Sequence, residues 1–385
     1  MKFDSSSRLL FFAPHPDDES LAAGGLLQKA AAAGANVRVI FATNGDNNPW
    51  PLRVVERQWK IEAHHRLLWG MRRMHEAREA LQVLGHSPAS ADFLQLPDQR
   101  LTEYFLQSDQ QLIHRLARVI AKAQPTLIVA PAAFDIHPDH NAFHLLLNRA
   151  VDAGGLSSIP RLYYSVHQTG YRGNYRRVVL PLTAKEQETK RRAILCHQSQ
   201  MALSRRRFLR HVLPQEEFWR ALPAREVDLL HPVSYGHVDH GTLRLRLQRR
   251  IRSATFARCT LLVAIESATA SHRWALRLPA FSKQVAFEDA LSGMKMGCAR
   301  VRIHGTQAEV DLPLDSLCSR KLSELGEIRS LHTKLEQPTL FYDYAGWRET
   351  PATQVAVTAS TPRRALETAR PRSGRMLPTT ARAVR

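Results

Sequence analysis

Over the first two hundred positions, apolar residues gather in short runs separated by longer amphipathic stretches. Arg8 to Ala13, RLLFFA, is apolar and of strand length, and Ser20 to Ala33 is rich in Ala and Leu with Gly34 just beyond, as in a helix ended by glycine. Val37 to Thr43, VRVIFAT, returns to β-branched residues. Strand, helix and strand in quick succession predict a βαβ unit and a parallel sheet. The alternation continues with a long helix from about Val54 to Leu84, a strand at Phe93 to Leu96, and a helix with Ile113, Leu116 and Ile120 on one face. A buried-type strand then runs from Thr126 to Pro131, and a further helix begins near Asp139. After the strand RLYYSV, Thr183 and Glu186 have capping-box spacing ahead of a helix to about Cys196. Residues 1–225 are therefore expected to form a doubly wound, Rossmann-like α/β domain on a mostly parallel sheet.

From about Val227 the texture changes. TLLVAIES, RWALRLP, ARVRIHG and AEVDLPL are short or alternating apolar runs without regular helices between them, so residues 226–350 are expected to form a β-rich accessory domain. The alternating LRLRLQRR from Leu243 predicts an apolar face under a solvated one, with contact to anionic lipid or glycan as a second reading. The stretch from Ala359 holds seven Arg and one Glu with little to bury, and residues 351–385 are expected to be a disordered basic tail.

Composition narrows the classes. The N-terminus has no secretory pattern, and no apolar run approaches the ~20 residues of a membrane span, so a cytoplasmic protein is expected. The four cysteines lack paired spacing, which argues against a zinc ribbon or a disulfide framework. A net charge of +19 favours anionic partners without choosing among them. No interleaved aromatic and basic module points to specific nucleic-acid binding. Contact with an anionic membrane surface and a homo-oligomer both remain open.

The polar clusters share one position: PHPDDE, TNGD, LPD and DIHPDH each follow a predicted strand. In open α/β sheets the ligand crevice lies at the carboxyl ends of the strands. Asp17 and Asp18 side by side resist ionising together and call for a counter-charge. His15, Asp18 and His140 make a set of two His and one carboxylate, the kind of three-ligand site in which zinc keeps a position open for water. Asp17 is then a candidate general base, and His137 a charged group aiding the departing nitrogen. Iron(II) is the alternative ion for such donors. His144, one turn after His140, is a rival ligand, with a non-ligand helix position favoured. His237, Asp239 and His240 repeat the HPDH spacing, but no buried strand precedes them and a loop is expected.

HPDDE after the first strand, with HPDH far downstream, resembles the PIG-L/LmbE-type family of zinc-dependent N-acetylglucosaminyl deacetylases over roughly residues 7–205. Thr43 to Gly45, Arg73 with Glu76, Asp98, and the segment of Lys190, His197, Ser199 and Gln200 match as well. The resemblance implies His15, Asp18 and His140 as zinc ligands, Asp17 as base, His137 as acid or oxyanion stabiliser, and Arg73 and Asp98 as substrate-binding residues. Lys190, His197 and Gln200 are expected to be structural. Where some members carry a Tyr two residues before the first His of HPDH, this chain has Asp135. The implied activity is hydrolysis of an N-acetyl group from an N-acetylglucosamine-type conjugate, small or lipid-linked. The alternatives are an amidase on a related thiol or glycan conjugate and a non-catalytic basic-surface binding protein.

Overall fold

The computed structural model describes residues 2–167, 173–249, 255–267, 270–314, 328–337, 342–343 and 345–351. Beyond Pro351, the expected basic tail lies outside the described residues, as does Cys318. The first part of the chain runs β1 (Arg8–Ala13), α1 (Asp18–Ala32), β2 (Asn36–Thr43), α2 (Pro49–Glu56), α3 (Ala63–Val83), β3 (Ala91–Leu96), α4 (Leu101–Leu106), α5 (Gln110–Ala123) and β4 (Leu127–Pro131). It continues with α6 (Pro138–Ala153), β5 (Arg161–Tyr164), β6 (Tyr175–Pro181), α7 (Ala184–Cys196), α8 (Gln198–Leu209) and β7 (Gln215–Ala221). These strands form one sheet in the order β3-β2-β1-β4-β5-β7-β6. The first five strands are parallel, and β7 pairs antiparallel with both β5 and β6.

Both faces of this sheet are covered, which explains why its strands read as continuous apolar runs. Leu9 and Phe11 of β1 pack with Leu26, Leu27, Ala77, Leu81 and Ile194 from α1, α3 and α7. Leu10 and Phe12 point the other way, against Ile113, Leu116, Phe143 and Leu146 from α5 and α6. The capping box expected at Thr183 and Glu186 is present. The single helix expected from Val54 to Leu84 is two helices. Arg57 turns left-handed after α2, and Glu62 with His65 forms a capping box that starts α3. RQWKIE between them has no helical apolar period to carry one axis through.

The second sheet is antiparallel and holds β8 (Val233–Asp239), β9 (Thr242–Gln248), β10 (Thr260–Ser267), β11 (Ser271–Arg277), β12 (Lys283–Asp289), β13 (Lys295–His304), β14 (Gln307–Pro313), β15 (Ile328–Glu336) and β16 (Arg348–Glu349). In β9 the leucines are buried and Arg244 and Arg246 are exposed, the alternation a half-buried strand requires. His237, Asp239 and His240 sit at the end of β8 and in its turn to β9, where His240 and Gly241 have positive φ. The two sheets belong to one compact unit. Leu262, Ala264, Ala345 and Trp347 join the core that holds Phe105, Ala133 and Phe134.

Candidate metal centre and active site

The loops after β1, β2, β3 and β4 meet at the carboxyl ends of the parallel strands. Thr43 and Gly45 shape the second loop: the Thr43 hydroxyl donates to the Pro14 carbonyl and accepts from the Gly45 N–H. Gly45 has φ +65, and a Cβ there would stand 1.9 Å from the Arg73 guanidinium. No other residue type allows Arg73 to lie in that place. Asp17 carries φ 131, a conformation that non-glycine residues occupy at a cost and that clusters at functional sites. Asp18 then opens α1, while His137 is the N-cap of α6, its Nδ1 accepting the Asp139 N–H at 3.2 Å.

His15, Asp18 and His140 come together. His15 Nδ1 lies 3.3 Å from His140 Nε2 and 3.7 Å from Asp18 Oδ2, and His140 Nε2 lies 3.3 Å from the same carboxylate oxygen. Donors held ~2.0–2.2 Å from a tetrahedral ion are separated by about 3.4 Å, so these three fit one small cation. His137 is close enough to form a further group with His15 and His140, all ligand atoms lying within 4.8 Å.

The outer nitrogens of both imidazoles are held by carboxylates. His15 Nε2 faces Asp98 Oδ1 at 3.1 Å and Asp139 Oδ2 at 3.2 Å, and His140 Nδ1 faces Asp135 Oδ2 at 3.2 Å. The outer nitrogens thus hold protons toward these carboxylates, which leaves the two inner nitrogens and Asp18 Oδ2 facing one another. That arrangement is repulsive unless positive charge sits between them. The electrostatics agree: burial disfavours charge on His140, yet Asp18 and Asp135 raise it to about 10. Burial likewise opposes a proton on His15, but Asp139, Asp18 and Asp98 hold it well above its usual value. Without a metal the carboxylates draw protons there, and a divalent ion can replace them.

Asp17 has a different environment. Burial raises its pKa to about 6, with Asp18 adding to the rise and Arg73 opposing it. Arg73 Nη2 donates to Asp17 Oδ2 at 3.0 Å and to the Pro16 carbonyl at 2.6 Å, and its Nη1 donates to the Gly45 carbonyl. Arg73 and Asp98 thus line the crevice, but the bonds seen run to Asp17 and His15. Burial, followed by the neighbouring His15, His140 and His167, drives the His137 pKa well below its usual value. A neutral ring replaces the charged one expected from the sequence, and because Nδ1 accepts at the helix cap, Nε2 bears the proton.

The rival ligand His144 is buried away from this cluster, its Nδ1 on the Pro131 carbonyl and Nε2 beside Asn148. Lys190 pairs with Glu216 and His197 with Glu19, both buried, while Ser199 binds Glu76 through its N–H and hydroxyl. Sequence reasoning missed Asp135 as the anchor of His140. It also receives the N–H groups of His137, Val166 and His167 and the Ser165 hydroxyl. It missed Tyr342 too, whose ring lies 5.1 Å from His167 and 5.9 Å from His137 and whose hydroxyl accepts from Arg207. Asp135 stood inside a motif already singled out; Tyr342 had no local signal. The crevice, about 130 Å³, is lined by Asp17, His137, Gln200, Arg207, Arg210 and Tyr342 among others.

The fold and this donor set define a mixed α/β protein with a buried cluster of nitrogen and oxygen donors at its strand ends that could hold a metal ion. Residues 10–151 match the family described as PIG-L: GlcNAc-PI de-N-acetylase. A 1D-myo-inositol 2-acetamido-2-deoxy-alpha-D-glucopyranoside deacetylase from Mycolicibacterium smegmatis is 28% identical over 181 residues, covering 43% of this chain and 61% of that protein. The same-named protein from Rhodococcus jostii is 30% identical over 173 residues, covering 40% and 57%. The chain thus spans about three fifths of the length of the curated relatives it matches. Among solved structures, a conserved protein from Thermus thermophilus aligns with a TM-score of 0.42 at 24% identity, over 57% of this chain and 97% of that one.

Proposed function

We propose that the chain is a metal-dependent N-deacetylase that hydrolyses the acetamide of an N-acetylglucosamine-type conjugate, releasing acetate and a free amine. The observation that carries this reading is the convergence of two imidazole nitrogens and the Asp18 carboxylate on one point, beside a second carboxylate, Asp17, held near pKa 6. In this reading His15, Asp18 and His140 hold zinc, or iron(II), as ligands. Bound there, the ion would supply Lewis acidity and an acidified water.

The remaining steps belong to the chain's own side chains. Asp17 is ionised at neutral pH and accepts the water proton, then returns it toward the departing nitrogen. Its lone pairs are aimed by Arg73 and by the strained backbone, so little reorganisation is needed. Neutral His137 donates from Nε2 to the carbonyl oxygen as negative charge develops on it. Arg73 and Asp98 first position Asp17 and His15, and from the crevice wall they are also the groups that would meet sugar hydroxyls. The related deacetylases named above support an N-acetylated glucosamine as the substrate class.

The test is acetate release from N-acetylglucosaminyl-inositol, N-acetylglucosamine and lipid-linked N-acetylglucosamine, with and without a chelator. Chelator-sensitive release from at least one is expected. Cleavage of an amide other than the acetamide would favour the amidase alternative. Absence of any metal-dependent hydrolysis, with salt-sensitive binding to DNA or anionic vesicles, would overturn the enzymatic reading.

A further inference from the structure

Beside the crevice, two helices carry apolar side chains on the side facing away from the protein. On α2, Trp50 and Val54 are one turn apart and 60% and 53% exposed. On α3, Leu67, Leu68 and Met71 are 61%, 61% and 58% exposed, while Trp69, Arg73, Ala77 and Ala80 take the buried side of the same helix. Trp59, between the helices, is 81% exposed. Single exposed apolar residues need no explanation, but six large ones within 22 positions do. The Arg72–Glu56 pair, 3.2 Å, links the two helices.

The charge around them is mainly positive. Between residues 50 and 72 stand Arg53, Arg57, Lys60, Arg66 and Arg72 against only Glu56 and Glu62. Arg53 lies over the Trp50 ring at 5.2 Å. Exposed Trp and Leu rimmed by cations is the composition of a surface that rests in the headgroup layer of an anionic bilayer, where indole rings are favoured and basic residues meet lipid phosphates. We propose that the α2–α3 face docks this protein on an anionic lipid surface. Asn48 and Pro51, at the start of α2, line the crevice, so docking brings its mouth to the headgroups.

The proposal is independent of the hydrolytic reading, because it is tested without turnover. Of the six tryptophans, Trp69, Trp219, Trp274 and Trp347 are exposed by 2% or less, so lipid quenching reports on Trp50 and Trp59. The full chain is mixed with vesicles of phosphatidylglycerol and phosphatidylcholine bearing brominated acyl chains. Quenching and co-flotation are expected. Both should fall at least tenfold in Leu67→Ser/Leu68→Ser, which keeps both reporter tryptophans and, at exposed positions, the fold. Three results would overturn the proposal: no vesicle binding, binding without quenching (adsorption by charge elsewhere), or a dimer in light scattering that Leu67→Ser/Leu68→Ser dissolves. The last would make the face a contact between copies.

Discussion

Replacing Asp17 by Asn removes one charge and changes little else. The residue is 8% exposed, and its carboxyl is held near pKa 6 against a usual 3.8. The folded chain therefore keeps a proton on Asp17 up to about pH 6, while the unfolded chain releases it near pH 4. Between those values the folded state binds more protons, so stability contributed by this group is present below pH 4 and is lost as pH rises to 6. A difference of roughly two pH units at ~1.4 kcal/mol each gives about 3 kcal/mol. Asn has no such slope and, like the protonated acid, its oxygen can accept from Arg73. In chelator-treated protein, urea unfolding should find Asp17→Asn as stable as the parent at pH 4 and more stable by up to about 3 kcal/mol at pH 7–8. Acetate release by the metal-loaded variant should fall by about 100- to 10,000-fold, the range for a lost general base. A pH-independent stability difference, or a variant less stable than the parent at pH 8, would mean that Asp17 serves only as the partner of Arg73. Full activity would dispose of its role as base.

Two further substitutions probe groups around the centre. Asp135→Asn must turn an amide N–H₂ toward either the His137 N–H or the donors from His140, Ser165, Val166 and His167. It should weaken metal binding by about 10- to 100-fold, measured by competition with a fluorescent chelator, and unchanged affinity would refute the anchoring role of this residue. Tyr342→Phe keeps the ring beside His167 and removes the hydroxyl that Arg207 reaches. A fall in kcat/KM of about five- to tenfold, worth ~1–1.4 kcal/mol, is expected without a change in melting temperature; unaltered kinetics would exclude a part for that hydroxyl.

The parallel sheet was legible because strands covered on both faces write themselves as unbroken apolar runs, such as LLFFA of β1 and LIVAP of β4. The residues proposed as metal donors could be singled out because each lies in the segment that follows such a strand, at the edge where the loops meet. The break between α2 and α3 was missed since it depends on a left-handed Arg57 and a cap formed by His65, neither a strong local signal. The charge state of His137 was misjudged for a different reason. Its neutrality follows from burial and three neighbouring imidazoles, one of them, His167, from a loop no motif singled out.

By itself the sequence determined the strand periods, the short loops that follow them and the identities of His15, Asp17, Asp18, His137 and His140. These are properties of neighbours along the chain. Tertiary structure alone decided that Asp135 and Asp139 orient the imidazoles of His140 and His15, that Arg73 threads past Gly45 to reach Asp17, and that Tyr342 arrives from between β15 and β16 of the second sheet. Those relations depend on distance and burial. Both are fixed only when elements far apart in sequence share one core, and in that core a carboxylate, an imidazole or a guanidinium acquires the partner that sets its charge.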